Sequence, residues 1–505
     1  MSGPQEVELK LRLADASDYP KLANDHLGLG QFNIEQVRVN HYATTYYDTS
    51  GRNLYQNGYT YRIRKAADSC TATVKDQGTQ GGGLSVRGEW NIKLDSPVPS
   101  IEPFSSLPIG SRLASIVGEQ QLLPLFRTDF QRTAIDLRTD SSLIELAADQ
   151  GSIDTDQATA PICEVELELK DGLAVELLKV GAILAESYPL LVEEKSKYAR
   201  GLELLGLPWP EGGERPELNV EDSIGTAIRS QGIFYLQEIL AGQEKFLAQP
   251  GDPETVHQLR VKTRHLRSWL AFFKPVLQAD RYADLTGLLK EFAGRLGYIR
   301  ELDVLAQVWQ EVIHSHPDLL AGAVQLSQRL AAEREQEQAA VYQQLAAGAS
   351  TPGLLRVWAG LLEGSWDEPG PASQPLQSYL RPRLRKWRRR LVKGIKRTDF
   401  GELQSVHALR IQAKKLRYVL QTLDPVVSKR YRRRLPAVKA MQEQLGLICD
   451  AQRNVAIIQA LTSGRKNSAL QYESGILTGF LLCQAAALAQ GWGKTPADLK
   501  PRSKT

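Results

Sequence analysis

Cysteine is scarce in this chain: Cys70, Cys163, Cys449 and Cys483 are the four in 505 residues, and no two form a C-x-x-C pair. Such scattering excludes a disulfide framework and a cysteine-bound zinc, and it suits a reducing compartment. No cationic stretch followed by an apolar core stands at the N-terminus, so no secretory signal is read there. Long hydrophobic runs are also missing. The longest, near residues 476–488, is too short and too broken by Gln and Thr to span a bilayer. A cytoplasmic protein with no membrane partner is therefore expected. No Ser-His-Asp arrangement is visible, and Gly81-Gly82-Gly83 lacks the Gly-Lys-Ser/Thr of a phosphate loop and reads as a hairpin turn.

What is present is length, enough for two or three domains with sizeable cores, and a split in charge. Residues 1–205 carry 20 Lys+Arg against 29 Asp+Glu, and residues 206–505 carry 42 against 29, balances of −9 and +13 within a net +4. An acidic part able to hold metal is joined to a basic part able to hold a polyanion. Period-2 alternation recurs at 6–13, 41–48, 59–64, 71–75, 84–94, 126–137, 143–149 and 162–169, with turns read at Asn57-Gly58, at 76–83 and at 149–151. Strands in this number with hairpin-length connections predict an eight-stranded antiparallel β tunnel, interrupted by short helices at 18–27 and 175–186. A Pro/Gly linker at 206–217 closes the first domain, 4–205.

Beyond the linker the period becomes 3.6, and a repeat appears. Val256-His257-Gln-Leu-Arg260 recurs as Val406-His407-Ala-Leu-Arg410, 150 residues later, and Leu296-Gly297 recurs as Leu445-Gly446. The expected class is thus α+β multidomain, the barrel being followed by a duplicated all-α bundle at 218–490. Its halves are about 218–362 and 376–490, and a flexible basic tail occupies 491–505.

In the segment Glu6-Val-Glu8-Leu-Lys10-Leu-Arg12-Leu13, Val7, Leu9, Leu11 and Leu13 share one strand face and Glu6, Glu8, Lys10 and Arg12 the other. Oxygen ligands for a hard cation stand next to a cation for phosphate oxygens, the pair that phosphoryl chemistry needs. The remaining polar faces carry Arg62 and Arg64, Lys75, Arg87 and Glu89, Arg132, Glu145 and Asp149, and Glu164, Glu166 and Glu168. Facing outward, these would be an ordinary solvated surface. Facing inward, they would line a tunnel with both signs of charge, which is tolerable only if the charges pair or bind ions.

The order Glu6-x-Glu8-x-Lys10, Tyr46-Tyr47-Asp48-Thr49, Arg62-x-Arg64, Thr73-Val-Lys75, Arg87-x-Glu89, Asp149-Gln-Gly, Glu164-x-Glu166-x-Glu168 and Lys195-Ser-Lys197 resembles the CYTH superfamily of triphosphate tunnel metalloenzymes. That group includes class IV adenylate cyclases and thiamine triphosphatases. The resemblance implies metal binding (Mg²⁺ or Mn²⁺) by Glu6, Glu8, Asp149, Glu164 and Glu166. It implies a grip on the triphosphate by Lys10, Arg62, Arg64, Lys75, Arg87, Arg132 and Lys197, with Glu6, Glu8, Lys10 and Lys75 as the catalytic set. Arg132 rather than Arg127 is the inward residue by strand phase. Asn91 departs from the family's Arg-x-Glu-x-Glu pattern, which leaves the role of Glu89 open.

In the repeats, spacings of 3, 4 and 3 align His257, Arg260, Arg264 and Arg267 on one helical stripe and His407, Arg410, Lys414 and Arg417 on another. Leu259, Leu266, Leu270 and Phe273 form the apolar side of the first helix, and Leu409, Leu416, Leu420 and Leu423 that of the second. Residues 381–397 hold ten Lys/Arg and no acid. Like-signed stripes repel unless an anion lies between them. These elements resemble the CHAD domain, which implies binding of long-chain polyphosphate through the two stripes.

The expected function is a metal-dependent inorganic triphosphatase that splits tripolyphosphate into pyrophosphate and phosphate. Its rivals are an organic-triphosphate enzyme, acting on ATP or thiamine triphosphate, and a non-catalytic polyanion binder. The basic stripes lack interleaved aromatics, which argues against nucleic acid. Oligomeric state stays open.

Overall fold

The computed structural model describes residues 5–25, 29–30, 32–66, 69–208, 215–364 and 369–492. Two compact units emerge, one of residues 1–214 with 344–363 and one of residues 215–343 with 364–505. Most of the expected basic tail, from 493 on, lies outside the described residues.

The first unit contains strands β1 (Gln5–Leu13), β2 (Asn33–Asp48), β3 (Tyr59–Ala66), β4 (Ser69–Asp76), β5 (Thr79–Gly81), β6 (Leu84–Leu94), β7 (Leu123–Arg138), β8 (Leu143–Asp154), β9 (Thr159–Asp171) and β10 (Leu190–Val192). Eight of them run antiparallel in the order β1-β9-β8-β7-β2-β3-β4-β6, and β6 pairs back with β1 to close the barrel. The short β5 and β10 are appended to β6 and β1.

The strand alternation sorts chemistry in an unusual sense: charges inward, hydrocarbon outward. The outer faces are therefore covered. Helix α1 (Tyr19–Asp25) lies in the connection to β2, α2 (Asn53–Gln56) between β2 and β3, and α3 (Gly110–Val117) before β7. Phe104 and the α3 residues Leu113 and Ile116 bury Tyr61, Ile63, Val74 and Trp90. Helix α4 (Val175–Ser187) crosses β1 and β9, and there the absent side chain of Gly181 matters. A Cβ at that position would stand 2.7 Å from Leu9 Cδ2. Helix α5 (Lys197–Leu204) follows, its N-cap Ser196 accepting from the Ala199 N–H. The helix Thr351–Leu362 also belongs to this unit: it packs on α4 with Leu355 near Gly181, and Arg356 pairs with Glu186. The repeat pattern had assigned it to the helical part.

Two readings of the chain need correction. Residues 149–151 are not a turn, since β8 runs through them to Asp154. Gly151 is there for close approach, because a Cβ would meet the Asp129 carbonyl oxygen at 2.0 Å. β2 begins at Asn33, well before 41, and pairs with β7 along nearly its whole length. Its outward Val37 and Val39 are exposed, so this stretch shows no buried apolar face to read.

The second unit is helical: α6 (Ile224–Ala248), α7 (Pro253–Phe273), α8 (Ala279–Arg295), α9 (Gly297–Ser315), α10 (Gln325–Ala346) and, after α11 (the helix Thr351–Leu362 of the first unit), α12 (Leu376–Arg397), α13 (Leu403–Thr422), α14 (Lys429–Arg432), α15 (Leu435–Thr462) and α16 (Ser468–Gln490). The duplication is visible in detail. Gly242 of α6 and Gly394 of α12 leave room for Leu259 and Leu409, whose Cδ1 atoms would stand 3.0 and 2.9 Å from an added Cβ. All eight apolar positions read on α7 and α13 are buried. A second core joins Leu305 and Trp309 of α9 to Ile458 of α15 and Leu477 of α16. By length and composition alone α16 could cross a membrane, with a mean hydropathy of 1.2. Its buried Glu473 accepts from the backbone N–H groups of Gln325 and Leu326 at 3.2 and 2.7 Å.

Candidate active site and anion-binding stripes

The barrel interior encloses a cavity of about 490 Å³ lined by Glu6, Glu8, Lys10, Arg62, Arg64, Lys75, Arg87, Glu89, Arg132, Glu166 and Lys197 among others. Cross-strand register explains the assembly. Glu6 stands opposite Arg87, Lys10 opposite Glu166, Arg132 opposite Asp149, and Lys75 opposite Glu89, so each charge meets its counterpart on the same face. Arg132 faces inward, and Arg127 is exposed.

Lys75 Nζ donates to both Glu6 oxygens at 2.6 and 2.8 Å and lies 3.2 Å from Glu89. Arg87 bridges Glu6 at 2.9 Å and Glu8 at 3.3 Å. Lys10 pairs with Glu8 at 3.2 Å, with Glu164 at 3.4 Å and with Glu166. Arg132 forms a two-point bond to Asp149 at 2.6 and 2.7 Å and also reaches Glu166. Lys197 joins Asp149 at 2.7 Å, Glu166 at 3.0 Å and Glu164. Burial alone would push the carboxyls up and the amines down, yet the pairing wins. Glu6 is lowered by Lys75 and Arg87, Glu166 is well lowered by Lys10, Lys197 and Arg132, and Lys10 is well raised by Glu164, Glu166 and Glu8.

Arg64 is the exception. Its guanidinium sits 4.7 Å over the Tyr42 ring and 3.4 Å from Thr44 Oγ1, with no carboxylate in ion-pair contact among the described residues. Burial and the neighbouring Arg62 and Arg132 pull it down to about 10. Arg62 keeps a buried Nε without a hydrogen-bond partner, yet against burial Tyr46, Glu89 at 3.8 Å and Glu6 hold its guanidinium above the ordinary range. Arg64 thus presents the least compensated positive charge among the described cavity residues, where an anion gains most.

Asp149, Glu164 and Glu166 each offer a carboxylate oxygen within 4.8 Å of the others, a donor set suited to a hard divalent cation. Glu8 joins them through shared Lys10, whereas Glu6 lies toward Lys75 and Arg87. Glu89 is held far down as a partner of Lys75 and Arg62, while Asn91 accepts from Thr73 at 2.6 Å and donates to Glu89 at 3.1 Å. Asp48 takes the N–H groups of Thr49, Leu54 and Tyr55 and so anchors the turn into α2. Inward Tyr46, Phe126, Phe130, Ile153 and Ile162 meet Tyr198 and Leu202 of α5 and fill one end of the barrel with hydrocarbon.

Sequence reasoning missed several groups. Arg38 lines the cavity and bonds Asp136 at 2.5 Å and Glu145 at 2.8 Å. It lay in the unread part of β2. Lys170 pairs with Glu168 at 2.8 Å and continues the charged face of β9 by one step of alternation, a signal that was available. Phe130 carries Lys197 at 5.0 Å and Arg132 at 5.7 Å over its ring, and nothing in its local sequence marks it.

In the helical unit, α7 packs on α13 and the two stripes converge. Arg260 and Arg264 come within electrostatic reach of Lys414 on α13, Arg260 also of Arg300 on α9 and Arg453 on α15, and His257 of Arg300, while His407 feels Arg410, Lys414 and Arg453. Arg410 is bonded to Asp450 at 2.7 and 2.8 Å. Arg260 donates to the Ala293 carbonyl at 3.1 Å and Arg417 to Gln442 at 2.8 Å. The Nε atoms of Arg260, Arg410 and Arg417 are buried without a partner. Arg267 stands at the stripe's end beside Lys415.

The chain thus has two parts, a closed barrel with carboxylates and cations of the types that take metal and phosphate inside, and a duplicated bundle with converging cationic stripes. Residues 4–202 match the CYTH domain model and residues 234–459 the CHAD domain model, so the chain carries an N-terminal CYTH domain and a C-terminal CHAD domain. The chain is 31% identical over 211 residues to an inorganic triphosphatase of Haemophilus influenzae, a match covering 40% of this chain and 55% of that protein. It thus spans 55% of the length of that curated relative. A CHAD domain of Ricinus communis is similar at 25% identity over 58% of this chain and 94% of its own, with a TM-score of 0.46. A Hippeastrum protein described as a putative adenylyl cyclase with a dominant triphosphatase activity is similar at 20% identity over 41% of this chain and 98% of its own, with a TM-score of 0.31.

Proposed function

We propose that residues 4–205 form an inorganic triphosphatase that splits tripolyphosphate into pyrophosphate and phosphate, and that residues 218–490 bind long-chain polyphosphate. The observation that carries the first part is the interior of paired opposite charges around a cavity of about 490 Å³. A neutral or single-signed substrate would leave half of that network without a partner, whereas a metal–triphosphate complex takes both halves.

Glu6, Glu8, Asp149, Glu164 and Glu166 would hold Mg²⁺ or Mn²⁺, which when bound supplies Lewis-acid polarisation of a phosphoryl oxygen. Lys10, Lys75, Arg87, Arg132 and Lys197, now paired with those carboxylates, then turn their donors to phosphate oxygens, Arg62 adds a further cation, and Arg64 adds charge that its neighbours leave uncompensated. Fixed cations of this kind stabilise the charge that gathers on the leaving pyrophosphate. The apolar core at one end, from Tyr46 to Leu202, excludes water from that side. The bundle's stripes, with the basic helix α12, provide the counter-charge for a longer chain.

Phosphate release from tripolyphosphate, long polyphosphate, ATP and thiamine triphosphate, each with Mg²⁺ and with Mn²⁺, tests the reading. Tripolyphosphate should be turned over fastest. Faster turnover of ATP or thiamine triphosphate, or no turnover of any of them, would reject it.

A further inference from the structure

We infer that polyanion binding at the two-repeat cluster of the helical unit takes up a proton, and that Lys414 is the group that receives it. The inference rests on the proposed reading of this unit as a polyphosphate binder. Its basis is who faces Lys414. From its own helix come Arg410 and, one turn further, His407. From α7 come Arg260 and Arg264, with His257 and Glu254 beyond them. From α15 comes Asp450, with Arg453 beside it, and from α9 Arg300 and Glu301 act on the same arginines. The carboxylates there are few and are taken. Asp450 is held by Arg410 in a two-point bond, and Glu301 is paired with Arg453.

Lys414 is therefore a half-buried amine among guanidinium groups that cannot give up their charge. Burial first, then Arg410 and Arg264, bring it down to about 7. His257 and His407 are lowered for the same reasons, burial first and then neighbouring arginines. The ligand-free cluster relieves its own repulsion by shedding protons where it can. A polyanion between the stripes removes the reason for doing so, and Lys414 returns toward the range of an ordinary amine. The sign follows from linkage: the complex holds more protons than the free protein above pH ~7, so affinity falls as pH rises through that region. For one proton the loss approaches tenfold per pH unit, roughly five- to tenfold between pH 7.5 and 8.5.

The test uses the full chain, long-chain inorganic polyphosphate at fixed ionic strength, and a chelator to prevent turnover. Titration calorimetry in buffers of different ionisation heat counts the protons. Wild type should take up close to one proton at pH 8.5 and lose roughly five- to tenfold in affinity from pH 7.5. Lys414→Arg, charged at both pH values, should bind tightly at each with no uptake. Lys414→Met should bind weakly at each, again with no uptake, so the inference does not depend on the arginine fitting. Uptake and slope unchanged in both variants, or absent from wild type that binds well, would overturn the inference and leave the binding reading standing. Absence of binding by wild type at every pH would instead overturn the binding reading, and the inference with it.

Discussion

In the barrel, Lys10 and Arg132 are buried among Glu164, Glu166 and Asp149, and they hold their protons more firmly than in water. In the helical unit, Arg260 and Lys414 are half-buried among arginines, and their pKa values fall to about 10 and about 7. Desolvation opposes the charge in both places. What differs is the sign of the neighbours, and that separates two ways of preparing for a polyanion. The barrel stores its own counter-charges, which under the proposed function it would exchange for metal and phosphate together. The bundle stores repulsion, which under the proposed function a polyanion would relieve.

The largest effect should come from removing one member of the barrel network. Arg132→Met deprives the fully buried Asp149 of its two-point partner and leaves it Lys197 alone, at a cost of up to about 3–5 kcal/mol, the range for a buried pair broken from one side. Thermal unfolding should show a large drop in Tm. Arg64→Met, at a residue with no carboxylate to orphan, should leave Tm nearly unchanged while weakening tripolyphosphate binding by one or two orders of magnitude, about 1.5–3 kcal/mol for a charge-assisted contact. Equal Tm losses in the two variants would erase the distinction between paired and waiting cations.

Next in size, Glu6→Gln or Glu8→Gln should lower turnover about a hundredfold or more, the rate equivalent of about 3 kcal/mol. The fold should persist, because Gln keeps hydrogen-bonding capacity in a polar site. Near wild-type turnover with unchanged metal dependence would remove β1 from the proposed metal site.

Acid sharpens the comparison by a smaller amount. His265 stacks on Tyr235 at 5.0 Å, and burial, then Lys262, Arg215 and Arg417, bring its pKa to about 3. The folded state keeps it neutral while the unfolded chain protonates it below about 6.5, so stability is lost as pH falls from about 6.5 toward 3, by at most about 1.4 kcal/mol per pH unit. Glu6, Glu89 and Glu166 are held below the ordinary carboxylate range, so the barrel has little to lose in the upper part of that window. Circular dichroism should show helix melting at a higher pH than barrel loss, and His265→Phe should narrow the gap.

The smallest effect has the opposite sign. Lys414→Met should raise the Tm of the ligand-free protein, by about 1 kcal/mol or less, because it removes one of several crowded cations. A fall in Tm would mean that Asp450 compensates the cluster better than its bond to Arg410 leaves room for.

Alternation and spacing were enough to place the charged face of each strand, the apolar face of α7 and α13, the inward phase of Arg132 and the duplication itself, because each is a property of one segment and its own period. The same local reading failed at Asp149-Gln150-Gly151, where glycine looked like a turn. In the barrel it is the point where β7 and β8 approach too closely for a side chain. Position along the chain places Thr351–Leu362 within the stretch that matches the CHAD domain model, and only the packing shows that this helix covers α4. The sequence by itself determined which residues are charged, how they are phased and that two different periods meet near residue 206. Only the tertiary structure decided which charges face one another. Barrel closure set β6 against β1 and gave Glu6 to Arg87 and Lys75, while helix packing set Arg264 against Lys414 and left both short of carboxylates. Periodicity dictates the direction of a side chain, but the energy of a buried charge depends on what lies opposite, and that is fixed only when distant segments close on each other.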